Sequence, residues 1–393
     1  MPADTTAGLS RSDRAKSLTA VILSAFGVGI PFGIGYPLVS LVFESWQQPN
    51  WVIGLAGAAP SVATLLLLPL VPSVLSRIGA VPAMAIGCLI SAAGFIGLYL
   101  SRDVTVWIAL RFIMSAGLTL PWLIGETWIN TVTTETTRGR IVSLYAASFF
   151  LGFAVGPPIL QLTGTTGPLP YLIGVFSTLI SILPILLARR LAPDMINKSA
   201  AGVRKAFALV PVGMTAAFLG GVLEMSHFSL LANVAIASGV SGERSLQLLT
   251  VLLVGGLTLQ FFIGWLADKV SRSGLAFALS LAFIALAAVL PLCLQSPAAG
   301  AVVVFLLGGI VIGFYTLGLV IVGEQVDAGD LAVANAAFIM TYQVGGIIGP
   351  GVAGLAMTVA PVEGFVATVI GFTILAMIRA ARLNRRRSRQ RAA

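Results

Sequence analysis

Gly264-Trp265-Leu266-Ala267-Asp268-Lys269-Val270-Ser271-Arg272-Ser273-Gly274 places three charges between two glycines, in a chain where only 9% of residues are charged. Apolar runs long enough to cross a bilayer flank it on both sides. It reads as a water-facing hinge between two membrane helices, with Asp268 expected where helix ends and loop cations meet, favoured by a helix N-terminus. The other spans can be counted outward from it.

Of the 393 residues, 58% are hydrophobic. A soluble domain carries about 25% charged residues, so this chain cannot cover a water-facing surface. It reads as an all-α integral membrane protein, because in lipid each helix satisfies its own backbone. The apolar runs are continuous rather than alternating in short strands, which argues against a membrane β-barrel. They cover 18–43, 52–75, 80–100, 104–131, 141–163 and 169–192, then 207–236, 245–267, 275–295, 299–325, 331–359 and 363–381. That is twelve transmembrane helices. The expected organisation is a cytoplasmic tail 1–17, a six-helix bundle 18–192, a cytoplasmic link 193–206, a second bundle 207–381 and a basic tail 382–393. The run after Lys16 is too long for a signal-peptide core and reads as a retained first helix.

Charge fixes the expected orientation. With both termini in the cytoplasm, the inner segments hold Arg11, Arg14, Lys16, Arg77, Arg138, Arg140, Arg189, Arg190, Lys198, Arg204, Lys205, Lys269, Arg272, Arg379, Arg382 and the five tail arginines, twenty of the 23 basic residues. Only Arg102 and Arg244 fall outside, and Arg111 falls within a span. Adding or removing one helix would scramble this segregation, which follows the positive-inside rule. The expected location is the cytoplasmic (inner) membrane. The net charge of +9 comes from scattered residues and the tail Arg385-Arg386-Arg387-Ser388-Arg389-Gln390-Arg391. Beside a membrane helix such a tail anchors to anionic lipid, and nucleic acid is not an expected partner.

The two halves repeat. Gly152-Phe153-Ala154-Val155-Gly156-Pro157 in the fifth span matches Gly345-Gly346-Ile347-Ile348-Gly349-Pro350 in the eleventh. Gly125-Glu126 ends the fourth span as Gly323-Glu324 ends the tenth. The hinge has a weaker copy at Pro72-Ser73-Val74-Leu75-Ser76-Arg77-Ile78-Gly79. Two six-helix pseudo-repeats with a site at their interface mark many secondary transporters.

Gly264-x-x-Ala267-Asp268-Lys269-x-x-Arg272, together with the twelve spans, the 6+6 repeat and the Gly-Pro helices, resembles the major facilitator superfamily (MFS) over essentially the whole chain. Glu126-Thr127-Trp128-Ile129-Asn130 with Arg138-Gly139-Arg140, the acid in the seventh span and Gln260 resemble its YcaD-like branch. The resemblance implies the MFS fold, alternating access and an inner-face charge lock at Gly264, Asp268, Lys269 and Arg272. Ser76 and Pro72 depart from that pattern in the first half. The fifth-helix Gly152-Gly156-Pro157 element is similar to one linked with drug/proton antiporters, though Pro158 follows where small residues continue the pattern.

Ionisable residues well inside spans are Arg111, Glu126, Glu224, His227 and Glu324. An ionised group at mid-bilayer costs about 2.5–3.5 kcal/mol on insertion scales, so each must be paired, neutralised or wet. Glu224 follows Gly220-Gly221, and His227 lies three residues on, sharing a face with it. Such a pair suits proton or substrate binding. Against this stands a carboxyl satisfied by neighbouring hydroxyls beside a polar histidine. Arg111 fits an anionic group or a carboxylate across the bundle, and snorkelling to the interface equally. Glu126 and Glu324, at matching places, fit gating, with Arg138, Arg140 or the loop motifs as partners for Glu126. Gly152, Gly156, Pro157, Gly345, Gly349 and Pro350 fit close packing and hinging. Tyr36, Trp122, Trp128, Asn130, Gln260, Tyr315, Tyr342 and Gln343 are polar lining candidates, of which Gln260, Tyr315 and Gln343 are preferred. Cys88 and Cys293 read as small hydrophobes.

No His/Cys/Asp cluster has metal-ligand spacing and no nucleotide loop is present, so no metal, cofactor or enzymatic activity is expected. The expectation is a proton-coupled secondary transporter of a small molecule, acting as a monomer, with export favoured. Uptake of a polar or anionic metabolite is the alternative, and a membrane sensor or scaffold a more distant one.

Overall fold

The computed structural model describes residues 10–134, 137–193, 210–326 and 331–392, with the side chains of 139, 331, 332 and 384–392 left out. Residues 194–206 of the expected link, with Lys198, Arg204 and Lys205, and the side chains of the five tail arginines lie outside this description. Twelve helices among the described residues are long and apolar enough to cross a membrane. They are α1 (Arg11–Ser45), α2 (Asn50–Ile78), α3 (Ala80–Leu100), α4 (Val104–Val132), α5 (Arg138–Thr163), α6 (Leu169–Leu187), α7 (Pro211–Ala237), α8 (Gly242–Ala267), α9 (Arg272–Cys293), α10 (Pro297–Gln325), α11 (Leu331–Val359) and α12 (Pro361–Ala392). A 3-10 turn at Leu68–Leu70 interrupts α2.

Local chemistry sets the boundaries. The Asp103 carboxylate accepts from the Val106 N–H at 2.9 Å and starts α4. Ser241 accepts from Arg244 N–H at 3.3 Å before α8, and Ser296 from Ala299 N–H at 3.4 Å before α10. Such caps contribute about 1 kcal/mol each. Gly79 alone joins α2 to α3 at φ +80°, a conformation that strains any residue with a Cβ. α6 stops at Leu187 and gives way to a 3-10 turn at Arg189–Leu191, short of the expected 192. α12 runs on to Ala392 rather than ending at 381, because arginine is a good helix former.

The described residues form two compact units. One comprises residues 1–38 and 66–198, and the other 39–65 and 199–393, in each case as far as they are described. The units therefore differ from the two sequence halves: the end of α1 and the start of α2 group with α7–α12. In the first unit α3 packs on α4 and α6, and a core of Cys88, Ile124, Trp128 and Ile185 forms between α3, α4 and α6. In the second, α7 lies against α10, α11 and α12, and α8 lies along α10. α7 is buried almost throughout, whereas α9 and α12 are mostly exposed. Leu162, Leu187, Leu292 and Val359 are largely bare, which suits lipid as the surrounding solvent.

Candidate functional site

In the first unit, α1 and α5 cross with backbones nearly touching. Gly29 and Gly33 of α1 face Phe149 and Phe153, while Gly152 and Gly156 of α5 face Phe26 and Gly33. A Cβ at 152 would clash with the Phe26 carbonyl. α5 stays helical through Pro157 and Pro158.

This close crossing brings Tyr36 beneath Arg111 of α4. The guanidinium carbon lies 4.5 Å from the Tyr36 ring centroid. Arg111 is 1% exposed, so it does not snorkel to an interface. Gly35 makes room, since a Cβ there would strike the guanidinium. Both terminal nitrogens, Nη1 and Nη2, lack a hydrogen-bond partner among the described residues.

Glu126 is half-buried and forms no ion pair among the described residues. Arg138 and Arg140, its expected partners, are both exposed. The weaker hinge copy explains this. The position matching Arg272 is Ala80, and Ser76, in place of the acid, turns back to donate to the Ser73 carbonyl at 3.0 Å. Trp122 and Trp128 serve packing: the Trp128 Nε1–H donates to Ser17 Oγ at 2.9 Å, and the Trp122 carbonyl accepts from Tyr145. Asn130 donates back to the Glu126 carbonyl of its own helix at 2.8 Å.

In the second unit α7 and α11 repeat the α1–α5 crossing. Gly345 faces the Phe218 carbonyl, Gly349 faces Val222, and Gly221 faces the Tyr342 carbonyl. Pro350 lies inside continuous α11. Glu224 is 5% exposed, and its carboxyl is hydrogen-bonded by Tyr342. Tyr315 meets Tyr342 edge-on at 5.2 Å and Phe338 at 5.4 Å. Gln343 is buried beside this group in sequence, while Gln260 of α8 is only half-buried.

His227 has different neighbours from Glu224. Its Nδ1 lies 2.6 Å from the Leu223 carbonyl of its own helix. Its ring packs against Phe283 at 5.8 Å and Phe365 at 5.1 Å. The shared helix face therefore fans out: Glu224 turns to α11, His227 to α9 and α12. A cavity of about 300 Å³ lined by Val212, Thr215, Leu219, Phe277, Ser280 and Phe314 contains neither residue.

The hinge differs from the expectation in one respect. Asp268 is the C-terminal cap of α8, not an N-terminal group of α9. A carboxylate there faces the unfavourable end of the helix dipole and is offset by Arg272 at 3.8 Å. Arg272 also pairs with Glu324 of α10. Lys269 lies 4.1 Å over the Trp265 ring, and Gly264 faces open space.

Sequence reasoning missed one polar cluster, at the helix ends away from the chain termini. Asn233 of α7, 2% exposed, accepts from Ser40 Oγ at 2.5 Å. Its Nδ2 donates to Glu44 Oε2 at 2.7 Å. Close by in the same unit, the Asn50 side chain donates to the Met357 carbonyl at 3.1 Å, Gly54 faces Pro350 and Gly57 faces Ser229. The available signal was a lone asparagine within an otherwise apolar end of α7.

The family model of the Major Facilitator Superfamily matches residues 18–350. The chain belongs to the major facilitator superfamily. Members are transporters rather than enzymes, and this chain is a multi-pass secondary transporter. It is 27% identical over 317 residues to the MFS-type transporter YcaD of Escherichia coli O7:K1, covering 80% of this chain and 81% of YcaD. It is 26% identical over 332 residues to the MFS-type transporter YfkF of Bacillus subtilis, covering 82% and 84%. Both agree with the YcaD-like branch of the superfamily. Among solved structures it resembles the nucleoside transporter NupG, with TM-score 0.74 at 15% identity over 93% of this chain and 97% of that one. A bacterial homologue of the lysosomal transporter Spinster gives 0.72 at 14%, over 95% and 96%. At these identities the likeness is one of MFS fold.

Proposed function

We propose that this chain is a proton-coupled exporter of a small molecule, working by alternating access in the cytoplasmic membrane with both termini inside. Glu224 carries the reading. It is a carboxyl buried in the central helix of its unit, and the partner found for it is a neutral phenol. Insertion scales put an unneutralised acid at mid-bilayer at about 2.5–3.5 kcal/mol, a cost that a proton or a bound cation removes. A group held that way changes occupancy when access changes side. Direction rests on the resemblance of the Gly152-Gly156-Pro157 element of α5 to one linked with drug/proton antiporters, from which Pro158 departs. The orientation rests on the segregation of basic residues.

Everted vesicles with an acridine dye reporting the proton gradient test the coupling. A compound panel is added, and any cargo that moves protons restores fluorescence. Glu224→Gln is expected to abolish that response while leaving the protein folded. Undiminished substrate-driven proton movement would remove Glu224 from the mechanism.

A further inference from the structure

We infer that Arg111 anchors an oxyanion head group, a carboxylate or a phosphate, on the molecule this protein carries. The guanidinium is buried inside the first unit, yet Nη1 and Nη2 both lack a hydrogen-bond partner among the described residues. A buried charge left so is costly unless something completes it. The described acids of that unit do not. Asp103 caps the start of α4, Asp13 lies at the exposed start of α1 beside Ser10, and Glu126 sits fifteen residues further along α4, about 22 Å away at 1.5 Å per residue. Tyr36 covers the guanidinium through its π-face, which does not engage the in-plane hydrogens of Nη1 and Nη2. Glycine at 35 keeps side-chain carbon away from Nη1. Two adjacent in-plane donors match two oxygens of one carboxylate or phosphate. An amine would be repelled there, and a neutral amide offers a single acceptor oxygen.

The inference rests on the transporter reading but not on proton coupling or direction, and its test reads binding alone. Thermal unfolding of the purified full-length protein is followed in neutral detergent at constant ionic strength. The probes are butyrate, inorganic phosphate and butyramide. Butyrate, phosphate or both should stabilise the wild type, and butyramide should not. Arg111→Gln should weaken the apparent affinity at least about tenfold, the loss expected for a charge-assisted hydrogen bond. Arg111→Lys should fall between. Should Arg111→Gln fail to fold, Gly35→Ala carries the test, because it crowds the guanidinium without removing the charge. Equal stabilisation of wild type and variant, or no stabilisation by either oxyanion, overturns the inference. Adding phosphatidylglycerol is a separate arm. A response to that lipid and to neither soluble ion makes the occupant a membrane headgroup and likewise overturns it.

Discussion

Asn233→Ala should loosen the clasp between the C-terminal turns of α1 and α7. The substitution removes the bond from Ser40 at 2.5 Å and the bond to Glu44 at 2.7 Å. Interhelical bonds in membranes average about 0.6 kcal/mol, and bonds to charged groups are worth about 1.5–3 kcal/mol. Together they hold the clasp by about 2 kcal/mol, or roughly thirtyfold in the ratio of clasped to parted forms. Ser61 of α2 is buried in the same unit, 1% exposed and against Gly346 of α11. A Ser61→Cys reporter in a Cys88→Ser, Cys293→Ser background is labelled with an impermeant thiol reagent. Where opening is a fast pre-equilibrium, the labelling rate follows the parted population. Asn233→Ala should raise it by roughly the same thirtyfold, and Ser40→Ala, which spares the Glu44 bond, by less. An unchanged rate in Asn233→Ala would refute the clasp, and equal effects of the two variants would refute the weight placed on Glu44.

Other outcomes follow from the geometry. Arg272→Gln breaks the pairs with Asp268 and Glu324, and these are solvent-screened, so thermal stability should fall by no more than about 1 kcal/mol while the transport rate changes. A large loss of stability with unaltered transport would make the cluster structural. Gly345→Leu places a side chain against the Phe218 carbonyl and Val222 amide of α7 and should cost about 1–3 kcal/mol or more from overpacking, read by thermal unfolding. Gly351→Ala, with nothing within 4 Å, is the control and should be silent. His227→Gln should leave substrate-driven proton movement intact, since His227 turns to Phe283 and Phe365 rather than to Glu224's partner Tyr342. Loss of coupling in that variant would place His227 in the relay.

The sequence alone determined what bilayer physics requires. A chain this poor in charge had to fold as membrane helices, and the alternation of basic loops fixed their number. Repeated Gly-Pro elements marked α5 and α11 as helices of close packing, because glycine permits backbones to approach closely, while only the structure names α1 and α7 as their partners. The isolated ionisable residues were visible for the same reason: each is expensive in lipid. Partners were not visible, since they depend on which way a side chain leaves its helix. Residues three apart suggested a Glu224–His227 pair, yet α11 takes one and α9 with α12 take the other. Symmetry suggested one role for Glu126 and Glu324, but among the described residues Glu324 meets Arg272 and no ion pair is found for Glu126, the first hinge copy having alanine in that arginine's place. Ser40, Glu44 and Asn233 come from distant parts of the chain, and no local pattern announces them. Only tertiary packing joins them, and only packing shows that Arg111 is buried with Nη1 and Nη2 unpartnered among the described residues.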